Sequence, residues 1–170
     1  CFTREGHEYA SFEHVEDSLP TDVPVCTDER VYLPTRNHLS VLSVDNESPE
    51  IWQTNKRNLM SSKISGLCVS DSHLVYGSEE KALSIWDRAS LTETHSLESA
   101  HPISAPPLIV ENDIYVVDEG GIFYCYDTTG RPKWQHQFGT DTPVIREPVV
   151  VGDHISLVDD QCLYVHRRRS

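Results

Sequence analysis

Three acidic pairs recur at intervals of about forty residues: Glu79–Glu80, Asp118–Glu119 and Asp159–Asp160. Carboxylate oxygens are the ligands that calcium and other hard cations take. On equivalent turns of a repeated structure, the three pairs would form an acidic ring on one rim. The plainer reading is a set of solvated turns, and a chain with 27 acidic and 14 basic residues favours it. The nine histidines invite metal or acid–base chemistry. Only His73 and His154 share a repeat position, however, and no H-x-x-x-H or H-E-x-x-H spacing focuses them, so they read as surface or strand residues. G-x-S-x-G elbows, phosphate loops and dinucleotide fingerprints do not occur. No catalytic, cofactor-binding or metal-ligating residue is therefore assigned, and no cofactor is expected.

The cysteines are equally sparing. Cys26, Cys68, Cys125 and Cys162 show neither C-x-x-C pairing nor zinc-finger spacing, and they read mostly as small buried hydrophobes. Cys1 stands where processing of a bacterial-type lipoprotein leaves a lipid-bearing cysteine, which would make the protein extracytoplasmic and lipid-anchored. A sequence that merely starts there is the competing reading.

The net charge of −13 disfavours nucleic acid and anionic membranes as partners. The one basic run, His166 to Ser170, reads as a solvated tail. No apolar stretch reaches the eighteen or so residues of a membrane helix.

What could position these groups is a repeat. Val31, Leu74, Ile114 and Ile155 each open an apolar run after a small polar turn, in "TDERVYL", "SDSHLVYG", "ENDIYVV" and "GDHISLV". The following alternating strand ends at Asp45, Asp87, Asp127 and Arg167. Seven residues before the first column stand Pro24, Pro107 and Pro148, with Leu67 in the remaining repeat. Proline is tolerated at a strand start, where its missing N–H need serve no ladder. Seven residues beyond the aspartates come Trp52, Thr94 and Trp134. The unit is thus one antiparallel meander of four short strands, about 41 residues long.

Beyond Arg167 only three residues remain, so the fourth unit lacks its last strand. Residues 7–15, "HEYASFEHV", carry the missing phase, with Tyr9 standing 22 before Val31. An unpaired sheet edge is a liability that native proteins cover or pair. The expectation is that Tyr9 to Phe12 pairs beside Leu163 to Arg167, within one chain or between two, as closed repeat architectures require. The reading is a single all-β β-propeller domain over residues 1–170. Residues 1–20 form the closing strand and linker, 21–60, 61–101 and 102–142 three blades, and 143–170 an incomplete blade. The ring is either a closed four-bladed one or half of an eight-bladed one completed by a homodimer.

"DIYVVDEGGIFYCYDTTGRPKW", residues 113–134, resembles the repeat of the quinoprotein-like, pyrroloquinoline-quinone-type propellers. Ile114, Tyr115, Gly121, Tyr124, Asp127, Gly130 and Trp134 fall on that pattern. "LSIWD", Leu83 to Asp87, resembles the ending of WD repeats, but the Trp after Asp-x-x-Gly favours the quinoprotein-like type. Asp127 and Gly130 then read as a turn and Trp134 as packing between blades. The resemblance implies two functions. One is a non-catalytic scaffold that binds protein partners, similar to the propellers of outer-membrane assembly lipoproteins. The alternative is half or a remnant of a quinone-dependent dehydrogenase, for which no ligand set maps onto these residues.

Overall fold

The computed structural model describes residues 20–35, 39–43, 51–53, 64–103, 105–138, 147–158 and 162–168, which divide between two compact units, Cys1–Ser61 and Ser62–Ser170. The described residues form strands and turns without a helix.

The first unit holds one antiparallel sheet, ordered β1 (Val25–Cys26), β2 (Arg30–Pro34), β3 (Leu39–Ser43) and β4 (Ile51–Gln53). The second unit repeats the meander. One sheet runs β5 (Ile64–Val69), β6 (His73–Ser78), β7 (Ala82–Asp87) and β8 (Thr92–Glu98). The next runs β9 (Leu108–Val110), β10 (Asp113–Val117), β11 (Ile122–Asp127) and β12 (Pro132–Gln137). The last has three strands, β13 (Val149–Val151), β14 (His154–Val158) and β15 (Leu163–Arg167).

The columns of the repeat set these strands. Val31, Leu74, Ile114 and Ile155 are each the second residue of their strand, and Asp87, Asp127 and Arg167 are each the last of theirs. Pro24, Pro107 and Pro148 each stand immediately before β1, β9 and β13, where no ladder donor is needed. Asp45, Tyr9 to Phe12 and Asp159–Asp160 lie outside the described residues, so the expected closing strand does too.

In the second unit the pleat sorts the third sheet's side chains between two cores. Ile114, Val116, Tyr124 and Tyr126 pack with Val75, Leu83, Ile85 and Ile103 on the side of the second sheet. Tyr115, Val117, Phe123 and Cys125 pack with Ile155 and Leu157 on the side of the fourth. A strand buried on both faces cannot alternate apolar with polar, so β10 and β11 read as continuous apolar runs. The approach is tight at Gly77, where a Cβ would overlap the side chain of Ile103.

Candidate functional site

The turn that joins β11 to β12 is built by one carboxylate. Asp127 Oδ1 accepts from the Thr129 backbone N–H at 2.9 Å, the Thr129 hydroxyl at 2.6 Å and the Arg131 N–H at 3.0 Å. Gly130 takes a positive φ of 77°, open to glycine at no steric cost, and its N–H reaches the Asp127 carbonyl at 2.9 Å. Asp87 does the same work with Ser90, accepting from its N–H and its hydroxyl, both at 2.7 Å. These bonds hold both carboxyls below the usual carboxylate range, the Thr129 hydroxyl contributing most at Asp127 and the Ser90 hydroxyl at Asp87. Asp127 and Gly130 are turn chemistry and Trp134 is packing. The indole is half-buried, with Phe123 edge-on at 5.3 Å and His166 of β15 at 5.0 Å.

Of the three acidic pairs, Glu79–Glu80 and Asp118–Glu119 lie within the described residues, and Asp118 does not stand open on a rim. Asp118 is fully buried, and its carboxylate accepts from Ile122 N at 2.9 Å, Tyr124 Oη at 2.9 Å and His101 N at 3.2 Å, with His101 Nδ1 at 3.3 Å. A carboxylate with its lone pairs so engaged is a structural acceptor, not a vacant cation ligand. Its equivalent in the preceding repeat is Ser78, whose hydroxyl accepts from Ala82 N at 3.3 Å as Asp118 accepts from Ile122 N. Glu119 therefore aligns with Glu79, and the pairs are out of step by one residue. Among the described residues no group of three or more His, Cys, Asp or Glu could hold a metal ion.

His73 and His154 open β6 and β14 as equivalents. Each turns Nδ1 to the residue before it, His73 to Ser72 Oγ and His154 to Asp153 Oδ1, both at 2.8 Å. Cysteine burial differs from expectation. Cys125 is buried and Cys68 half-buried, but Cys26 and Cys162 are exposed.

Two surfaces are large enough to meet a partner. The first is a solvent-open cleft of about 460 Å³ at one end of the third and fourth sheets, lined by Glu111, Asn112, Asp113, Lys133, Gly152, Asp153 and Arg168. Lys133 Nζ binds Asp113 Oδ1 at 2.6 Å, and the Tyr115 hydroxyl donates to Asp113 Oδ2 at 3.1 Å. Arg168 donates through Nε to Tyr115 Oη and through Nη2 to Glu111 Oε2, both at 3.3 Å, while Arg167 pairs with Asp153 at 2.9 Å. Burial pushes Tyr115 up to about 12, so it stays a neutral donor and acceptor. Within the basic run, Arg167 and Arg168 tie β15 to the turns beside it.

The second surface is one face of the fourth sheet. Val149, Val151, Val158, Leu163 and Val165 are its exposed large apolar residues, and β15 is its last described strand.

Comparison with known proteins now places the chain. Residues 37–168 match the family described as outer membrane protein assembly factor BamB. The chain belongs to that family. Among solved structures, the computationally designed protein Ika4 superposes with a TM-score of 0.81 at 16% identity, covering 96% of this chain and 99% of that one. BamB from Moraxella catarrhalis superposes at 0.74 with 16% identity, over 91% of this chain and 48% of its own. The designed protein Ika8 gives 0.72 at 14% identity, over 85% and 44%. This BamB-family chain spans about half the length of BamB and of Ika8. No curated protein sequence matches it. The fold is a propeller-type repeat of pyrroloquinoline-quinone type, and no helix among the described residues is long and apolar enough to cross a membrane.

Proposed function

We propose that this protein is a non-catalytic scaffold that acts by binding other proteins, in an assembly role at the outer membrane of the kind its family description names. The observation that carries the reading is the state of the charged groups. Asp118 is enclosed, Asp87 and Asp127 build turns, and Asp113, Glu111 and Asp153 are paired with Lys133, Arg168 and Arg167. Groups held this way present fixed, mixed charge to a partner, which suits orientation and specificity in recognition. General acid–base work instead needs a titratable group poised toward a substrate.

The test is site-specific photo-cross-linking in cells of the source organism, with the reactive residue at Lys133 in the cleft. Cross-links to one defined envelope protein, lost on Asp153→Arg with the circular dichroism unchanged, support the reading. Calcium-dependent dehydrogenase turnover on addition of pyrroloquinoline quinone would reverse it.

A further inference from the structure

Each meander of the second unit has a backward and a forward face. The forward face of the second sheet presents Leu83 and Ile85 of β7 to the third sheet, and that of the third presents Phe123 and Cys125 of β11 to the fourth. These residues stand four and two positions before the strand-ending Asp87 and Asp127. Counting back from Arg167 in the same way gives Leu163 and Val165. The first four are at most 1% exposed, whereas Leu163 is 65% and Val165 61% exposed. Ladder register extends the patch: Ser156 joins Val149 to Val165, and Val158 pairs with Leu163. A contiguous apolar sheet face in water marks an interaction surface.

The repeat also specifies what fits there, namely the backward face of another meander. In β10 that face is Ile114, paired with Tyr126, and Val116, paired with Tyr124. The first sheet carries the same face at Val31, paired with Leu42, and at Leu33. Ile114 and Val116 are buried, but Val31, Leu33 and Leu42 are only half-buried. One chain therefore bears both halves of one contact. We propose that the forward face of the fourth sheet is covered by the first sheet of a second copy of this chain. The reciprocal contact forms at the same time, giving a two-fold dimer with two identical interfaces. At −13 each, the copies repel. Salt therefore strengthens the association, because it screens the repulsion and leaves the apolar contact intact.

The test is the solution mass of the full chain by sedimentation equilibrium across the micromolar range. The expected mass is twice 19.3 kDa, with tighter association at higher salt. Val165→Glu and Val31→Glu should each weaken dimerisation at least tenfold, with far-ultraviolet circular dichroism unchanged. An equimolar mixture of the two variants should recover part of it, since pairing unlike copies leaves one interface wholly native. A photo-reactive residue at Val165 should cross-link between chains to the peptide that contains Val31 to Leu42. A monomer at every concentration, an unchanged dimer in Val165→Glu, or cross-linking that stays within one chain would overturn the proposal.

Discussion

Trp134 meets His166 across the gap between the third and fourth sheets, ring centroids 5.0 Å apart and planes inclined by 43°. The same indole lies edge-on to Phe123 at 5.3 Å and 6.2 Å from Tyr115, so one side chain joins β10, β11, β12 and β15. Edge-to-face and tilted contacts of this kind add to the area buried. Trp134→Ala should cost about 2 kcal/mol, less than the 3–5 kcal/mol typical of a fully buried aromatic, because the indole is half-buried. Trp134→Phe keeps the edge-on contact and should cost under about 1 kcal/mol. Urea denaturation reads both values, and an alanine variant as stable as the parent would show that the stack contributes nothing.

Asp118 makes a different prediction, since its fully buried carboxylate accepts from the buried Tyr124 hydroxyl and from the half-buried Ile122 N–H. Asp118→Ala strands the Ile122 N–H and the Tyr124 hydroxyl, and each buried orphan costs about 1–3 kcal/mol. The loss should exceed about 2 kcal/mol. Asp118→Asn retains one acceptor and should fall between the alanine variant and the parent. Glu119→Ala, on the neighbouring half-exposed side chain, should cost less than about 0.5 kcal/mol. Chemical denaturation of the three variants separates an enclosed acceptor from a rim ligand. Equal losses at positions 118 and 119 would contradict the burial.

The contrast shows what the sequence makes legible. Strand columns recur because each meander must present the same pleat to its neighbours, and Val31, Leu74, Ile114 and Ile155 record that demand. The Asp127 turn is legible because Asp-Thr-Thr-Gly is a local device, with a hydroxyl between carboxylate and glycine, and at Asp87 the hydroxyl of Ser90 stands in the glycine's place. Long-range closure leaves no such trace. Nothing in "VVDEGG" says that Tyr124, six residues on, and His101, seventeen back, will enclose Asp118. Nothing in "HRRRS" says that Arg168 will reach Tyr115 and Glu111. The two exposed cysteines were missed because Cys26 ends a two-residue strand and Cys162 lies just before β15, where periodicity is silent on burial.

Thiol chemistry should follow burial. Desolvation pushes the Cys125 thiol up to about 12 and raises that of Cys68, and the thiolate is the reactive form. At pH 8 Cys26 and Cys162 should be alkylated within minutes, Cys68 slowly, and Cys125 only after denaturant is added. Peptide mapping by mass spectrometry assigns each site. Rapid labelling of Cys125 in the native state would contradict its enclosure between Tyr115, Phe123 and Ile155.

Acid stability should depend on the turn carboxylates. Asp87 and Asp127 have folded values below the ordinary one, through the Ser90 and Thr129 hydroxyls first and backbone N–H groups next. Above the unfolded value of about 3.9, both states hold the ionised form and the full contribution of these bonds is present. As pH falls through that value and then through the lower folded one, the unfolded chain takes protons first and the contribution is lost. The gap in stability between the parent and the double variant Asp87→Asn, Asp127→Asn should therefore be widest near pH 6. It should narrow steadily below about pH 4. Thermal melts from pH 6 to pH 2 read it directly. A gap that stays constant over that range would mean that the two turns are held by backbone geometry and not by the ionised side chains.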